Sequence, residues 1–70
     1  MATAINITVN GEKHEFHPGT TVAELLRQLG LNAGRVAIER NLEILPRPLW
    51  QETQMAAGDS YEIVQFVGGG

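Results

Sequence analysis

Only one stretch of this chain repeats its apolar side chains at helical spacing. Val22, Leu25, Leu26 and Leu29 fall at i, i+3, i+4 and i+7, one face of an α-helix. Thr21 and Glu24 stand at capping-box spacing in front of it, a Thr hydroxyl for one orphan N–H and a Glu to reach back to another. Gly30 is placed to end the helix as a left-handed cap, with Leu31 folding back. The remaining periodicity is of period two, that of strands. A single helix covers one face of one small sheet, and nothing is left to cover the other.

The strands follow from alternation and punctuation. In Ala4 to Val9, the residues Ile5, Ile7 and Val9 alternate with polar neighbours. Asn10-Gly11 is the strongest two-residue hairpin signal, so Glu12 to Phe16 is the return strand. That loop pairs Val9 with Glu12, Ile7 with His14 and Ile5 with Phe16. Paired residues share a face, so Phe16 joins the core and His14 sits at its edge. His17-Pro18-Gly19 breaks the strand. Val36 to Arg40 reads as a third strand with Val36 and Ile38 inward, and Glu43-Ile44-Leu45 as a short fourth. The Asn41-Leu42 turn between them conflicts with its own sequence, because Leu resists the positive φ of a type I′ turn. Pro46 and Pro48 exclude a central strand, and Pro48 to Glu52 reads as a short helical turn. Ala57-Gly58-Asp59 is a turn, and Ser60 to Val67 is the last strand.

Composition removes whole classes of function. Seventy residues make one small domain, here 1–67, with 68–70 a flexible glycine tail. There is no cysteine, hence no disulfide, no Cys-ligated zinc, no iron–sulfur cluster and no thiol nucleophile. A net charge of −3 repels phosphate backbones, so nucleic acid is not an expected partner. No apolar run exceeds three residues, which leaves neither a membrane span nor a signal-peptide core. A cytoplasmic domain is the expectation.

The titratable residues do not assemble into chemistry. His14 and His17, flanked by Glu12 and Glu15, lie on a strand running into a turn, where their side chains point to opposite faces; no metal site is expected. Glu39, Glu43, Glu52, Asp59 and Glu62 are scattered singly, with no pair spaced for acid–base work. Arg35, Arg40 and Arg47 read as a solvated face, with partner contact as the alternative. Trp50 reads as core or rim packing.

The end of the chain is more informative. Tyr61, Ile63, Gln65 and Val67 form one period-two set, Glu62, Val64 and Phe66 the other, and both hold apolar residues. If Tyr61 and Ile63 face the helix, Val64 and Phe66 face outward as a partner surface. Gly68-Gly69-Gly70 follow. Three glycines have no side chain to pack and hold a terminal carboxylate about 10 Å from the body at ~3.3–3.6 Å per residue, an end suited to a narrow enzyme channel. The only reactive group there is the Gly70 carboxylate.

At this point the chain resembles the ubiquitin-like sulfur carriers, nearest to those of thiamine thiazole synthesis, over essentially its whole length. The resemblance lies in Val9-Asn10-Gly11-Glu12, Thr20 to Leu26, Val36 to Asn41, Ile44-Leu45-Pro46-Arg47 with Trp50, Gly58-Asp59, and above all Glu62 to Gly70. Leu42 and Pro48 depart from the pattern. The resemblance implies an α+β ubiquitin-like β-grasp fold, a mixed sheet covered on one face by a single helix, with the last strand central and parallel to the first. It implies that Gly70 is the modified residue, that Gly68 and Gly69 thread it into partners, and that the chain is a cosubstrate, not an enzyme. A partner adenylyltransferase would use ATP and magnesium to make the Gly70 acyl-adenylate; the carrier itself binds no cofactor. A persulfide sulfur supplied through a cysteine desulfurase would displace AMP, and thiazole synthase would take sulfur from the resulting thiocarboxylate. The small subunit of molybdopterin synthase or a protein-conjugating modifier shares the fold and the Gly-Gly end. A plain interaction domain with an inert tail is the third alternative.

Overall fold

The computed structural model describes residues 3–66. Strands β1 (Ile5–Val9) and β2 (Glu12–Phe16) precede helix α1 (Val22–Leu29), and β3 (Val36–Arg40), β4 (Glu43–Ile44) and β5 (Ser60–Gln65) follow it. They form one sheet in the order β2-β1-β5-β3-β4. Strand β5 is central, parallel to β1 and antiparallel to β3. The β1–β2 register is the expected one, Ile5 opposite Phe16 and Val9 opposite Glu12. Asn10 and Gly11 both take positive φ, 51° and 83°, as a type I′ turn requires.

The helix end groups are fully accounted for over its first turn. Thr21 Oγ1 accepts from the Glu24 N–H, and Glu24 Oε1 accepts from the Thr21 N–H. The two remaining early N–H groups are served from far along the chain: Val22 donates to the Thr53 carbonyl at 2.9 Å and Ala23 to the Trp50 carbonyl at 3.0 Å. The Thr21 backbone N–H, and after it the Thr21 hydroxyl, hold the Glu24 carboxyl below its ordinary value. At the other end Gly30 sits at φ 73°. Its N–H reaches the Arg27 carbonyl, and the Leu31 N–H reaches that of Leu26, a Schellman cap. Val22, Leu25 and Leu26 are buried against Ile7, Val9, Phe16, Val36, Ile38, Tyr61 and Ile63, with Leu29 and Leu31 at the margin. No helix among the described residues is long and apolar enough to cross a membrane.

Several expectations are corrected. The Asn41-Leu42 turn forms despite its sequence, with φ 51° and 71°. Asn41 overrides the local preference: its N–H donates to the Ser60 carbonyl, and its side chain accepts from the Ser60 N–H and donates to Asp59 Oδ1. Leu42 is carried along, 87% exposed. The helical turn expected over Pro48 to Glu52 is a 3₁₀ turn over Arg47–Leu49, starting one residue earlier and ending three earlier. β4 stops at Ile44, although the Leu45 N–H still donates to Ile38. Met55, not anticipated in the core, is buried there beside Trp50. β5 ends at Gln65; Val67 lies outside the described residues.

Asp59 and Arg40 are neither scattered nor solvated. Asp59 is buried and accepts four hydrogen bonds: from Arg40 Nε at 3.0 Å, Tyr61 Oη at 2.8 Å, Asn41 Nδ2 at 3.1 Å and the Ala56 N–H at 2.9 Å. Burial pushes its carboxyl pKa up, but the four donors outweigh that and hold it below the ordinary value. Burial first, then the Asp59 carboxylate, push the Tyr61 hydroxyl well up, so it stays a donor. Arg47 is not simply solvated either; its guanidinium lies 5.4 Å from the Trp50 ring centroid.

Two outcomes are expected. Leu42→Gly relieves a left-handed Leu that packs against nothing and should stabilise the protein by about 1 kcal/mol in urea melts; a loss of stability would show that Leu42 makes a contact worth more than its strain. Because the folded pKa of Asp59 is depressed, its contribution is complete above the unfolded value of ~3.9 and disappears as pH falls through the folded one. The melting temperature should therefore drop below about pH 4. Asp59→Asn should melt lower at pH 7 and respond less to acid.

Candidate functional site: the uncovered sheet face and the root of the tail

Pleating divides β5 between two environments. Tyr61 and Ile63 face α1 and are buried. The intervening residues face the other way, where the described residues place no helix. Register then decides their neighbours: Val64 stands opposite Ala37, Glu62 opposite Glu39, and Glu39 opposite Ile44. Val64 is 57% exposed, Phe66 56% and Ile44 78%. The Phe66 N–H donates to the Arg35 carbonyl at 2.8 Å, so the ladder to β3 runs one residue past β5. The result is an apolar strip of Val64, Phe66 and Ala37, with exposed Glu39 and Glu62 separating it from Ile44.

The expected exposure of Val64 and Phe66 is what the structure shows. Ala37 and Ile44 join their face without having been singled out. Alternation within Val36 to Arg40 already turned Ala37 outward, but Glu43-Ile44-Leu45 carried no signal of which side is which until β4 was registered on β3. Gly68, Gly69 and Gly70 lie outside the described residues.

The other candidates do not assemble. His14 Nε2 lies 4.0 Å from Glu12 Oε1, and the His14 ring stacks on Phe16 at 6.2 Å between centroids. Among the described residues no three His, Asp or Glu side chains are placed to hold a metal ion. A cleft of about 370 Å³ opens between the β1–β2 turn and the C-terminal end of α1, lined among others by Asn10, Glu12, His14, Leu31 and Gln65. It places no pair of carboxylates face to face. The described geometry offers instead an exposed apolar strip on the sheet face away from α1, ending at Phe66.

Comparison with known proteins agrees in kind. The model of the ThiS family matches residues 2–70. Thiazole synthase of Paramagnetospirillum magneticum is 42% identical over 66 residues, which cover 94% of this chain and 20% of that protein. The chain thus spans about a fifth of the length of such relatives. The sulfur carrier protein ThiS of Bacillus subtilis is 35% identical over 91% of this chain and 98% of its own length. The crystal structure of the thiamine biosynthesis protein ThiS from Geobacter metallireducens superposes with a TM-score of 0.76 at 37% identity, covering 94% of this chain and all of that one. A solved ubiquitin-like domain at 16% identity and TM-score 0.59 shares the fold alone, over 99% of this chain and 79% of its own. With residues 2–70 matched and its central last strand in place, the chain belongs to the ThiS family, on a ubiquitin-like β-grasp fold.

Proposed function

We propose that this protein carries sulfur for thiazole formation in thiamine biosynthesis, on the carboxyl group of its own Gly70, and is a cosubstrate and not an enzyme. The observation behind the reading is a juxtaposition: an exposed apolar strip ending at Phe66, and three side-chain-free residues that begin two positions later, after Val67. The strip gives a partner something to hold; the glycines give it something to pull into a site too narrow for side chains.

A carboxylate is a poor electrophile. A partner adenylyltransferase, using ATP and magnesium, joins a Gly70 oxygen to the α-phosphate of ATP and releases pyrophosphate. AMP then leaves far more readily than oxide would. A persulfide sulfur, drawn from cysteine by a desulfurase, attacks the carbonyl and expels AMP. A second thiol cleaves the acyl disulfide and leaves the thiocarboxylate. Thiazole synthase is the recipient, a reading supported by thiazole synthase chains that contain a stretch like this one within their own length. The carrier supplies no acid, base or metal to any step. Val64 and Phe66 dock, Gly68 and Gly69 thread, and Gly70 reacts.

The tail is tested by shortening it. Deleting Gly70 still leaves a glycine carboxylate, but short by ~3.5 Å, where a 1 Å misplacement already costs about 10²-fold. Pyrophosphate release with an adenylyltransferase of the thiamine pathway should fall at least that far, with the melting temperature unchanged. Gly69→Val should fail as well, because its branched side chain fills the channel. Parental turnover by the deletion would reduce the tail to an inert end. For docking, Phe66→Ala should leave the fold intact and weaken the adenylyltransferase complex by about 1–4 kcal/mol, the hot-spot range. Unchanged affinity by calorimetry would remove Phe66 from the interface.

A further inference from the structure

Strand β1 runs out beside β5 before β5 ends. Their parallel pairing covers Thr8 with Ser60 and Val9 with Tyr61, and the chain then turns away at Asn10-Gly11. In β5 successive residues direct their backbone groups to opposite neighbours. The Phe66 N–H goes to Arg35, on the β3 side. The Asp59 and Tyr61 carbonyls accept from the Thr8 and Asn10 N–H groups at 3.0 and 2.8 Å, on the β1 side. Ile63 is the next residue facing β1, where no further β1 backbone reaches it. The side chain of Asn10 takes that place. Its Nδ2 donates to the Ile63 carbonyl at 3.2 Å, and its Oδ1 accepts from the Ile63 N–H at 2.8 Å. A primary amide carries the same donor and acceptor as a peptide unit, so one side chain adds a further rung to the ladder. With its own N–H on Tyr61, Asn10 makes three hydrogen bonds to β5.

We propose that Asn10 is a positioning residue for the C-terminal tail. It anchors the backbone of Ile63, three residues before Phe66 and seven before Gly70, and so sets the line along which the chain leaves the sheet. Asn10 is therefore asked for two things at once. Its φ of 51° calls for Gly, Asn or Asp. Of these, only Asn also presents both a donor and an acceptor to Ile63. Glycine keeps the turn and loses both bonds; aspartate keeps the acceptor and sets a charge against the Ile63 carbonyl. The consequence for adenylation rests on the carrier reading above, whereas the anchoring itself does not.

The test uses the full-length free protein and two variants. Asn10→Gly should keep the parental circular dichroism. Its Ile63 amide should exchange with solvent at least about tenfold faster relative to Tyr61, as expected when a protecting bond is removed locally. Backbone order parameters of Val64 to Phe66 should fall on the ps–ns scale. Asn10→Asp should lie between parent and Asn10→Gly. With adenylyltransferase and ATP, Asn10→Gly should raise KM for the carrier by about tenfold, since a loosened backbone residue must be ordered on binding, while kcat stays parental. Three results overturn the proposal: Ile63 exchange at the parental rate, a uniform rise at all amides including Val36 and Tyr61, or faster Ile63 exchange with unchanged order parameters and KM. Absence of turnover in the parent would sink the carrier reading instead, and the relaxation data would still decide the role of Asn10.

Discussion

The fold depends on its last strand lying between β1 and β3, and Asp59 fixes the start of that strand to both sides. Its carbonyl accepts from Thr8 on one side, while its carboxylate gathers Arg40 and Asn41 from the other. Tyr61, two residues on, returns its hydroxyl to the same oxygen as Arg40 from inside the core. The buried carboxylate thus ties β3, the β3–β4 turn and β5 at a single point, and the carbonyl of the same residue adds β1. A buried charge is tolerated only when its lone pairs are satisfied, and here four donors converge. Removing any one leaves the others facing a carboxylate that burial penalises, so the cluster locks register as well as adding stability.

The long connection from Pro46 to Gly58 has a related task. It looks like irregular chain, yet its Trp50 and Thr53 carbonyls finish the N-terminus of α1, and Met55 donates back to Thr20. Trp50 fills the core end and gives its indole N–H to Leu45. Among the described residues no buried side-chain nitrogen or oxygen lacks a partner. A small domain has few layers over which to spread the cost of an orphaned polar group, and this segment removes several of them at once.

The pleat of one strand separates buried from exposed apolar residues. Tyr61 and Ile63 belong to the core; Val64, one residue after Ile63, and Phe66, three after it, contribute little to it and stay exposed. In the carrier reading the same strand leads directly to the reacting end, so docking and delivery share one rigid element, squared up on its far side by Asn10.

Much of this was legible locally. The hairpin register followed from Asn10-Gly11 because a two-residue loop leaves no freedom in pairing. The helix, its capping box and its Gly30 end followed from spacing alone, and the two faces of β5 from alternation. What the sequence could not show are the relations between distant residues. Leu42 occupies a left-handed turn because Asn41 is bound to Asp59 and Ser60, nearly twenty positions on. Asp59 and Arg40 looked like separate surface charges until β3 and β5 were paired. Ile44 had no side until β4 was registered on β3, and Asn10 looked like a turn former and nothing more. Local propensities fix what each segment prefers within a few residues; which backbone groups remain without a partner, and which side chain must supply one, is settled only when the strands are laid side by side.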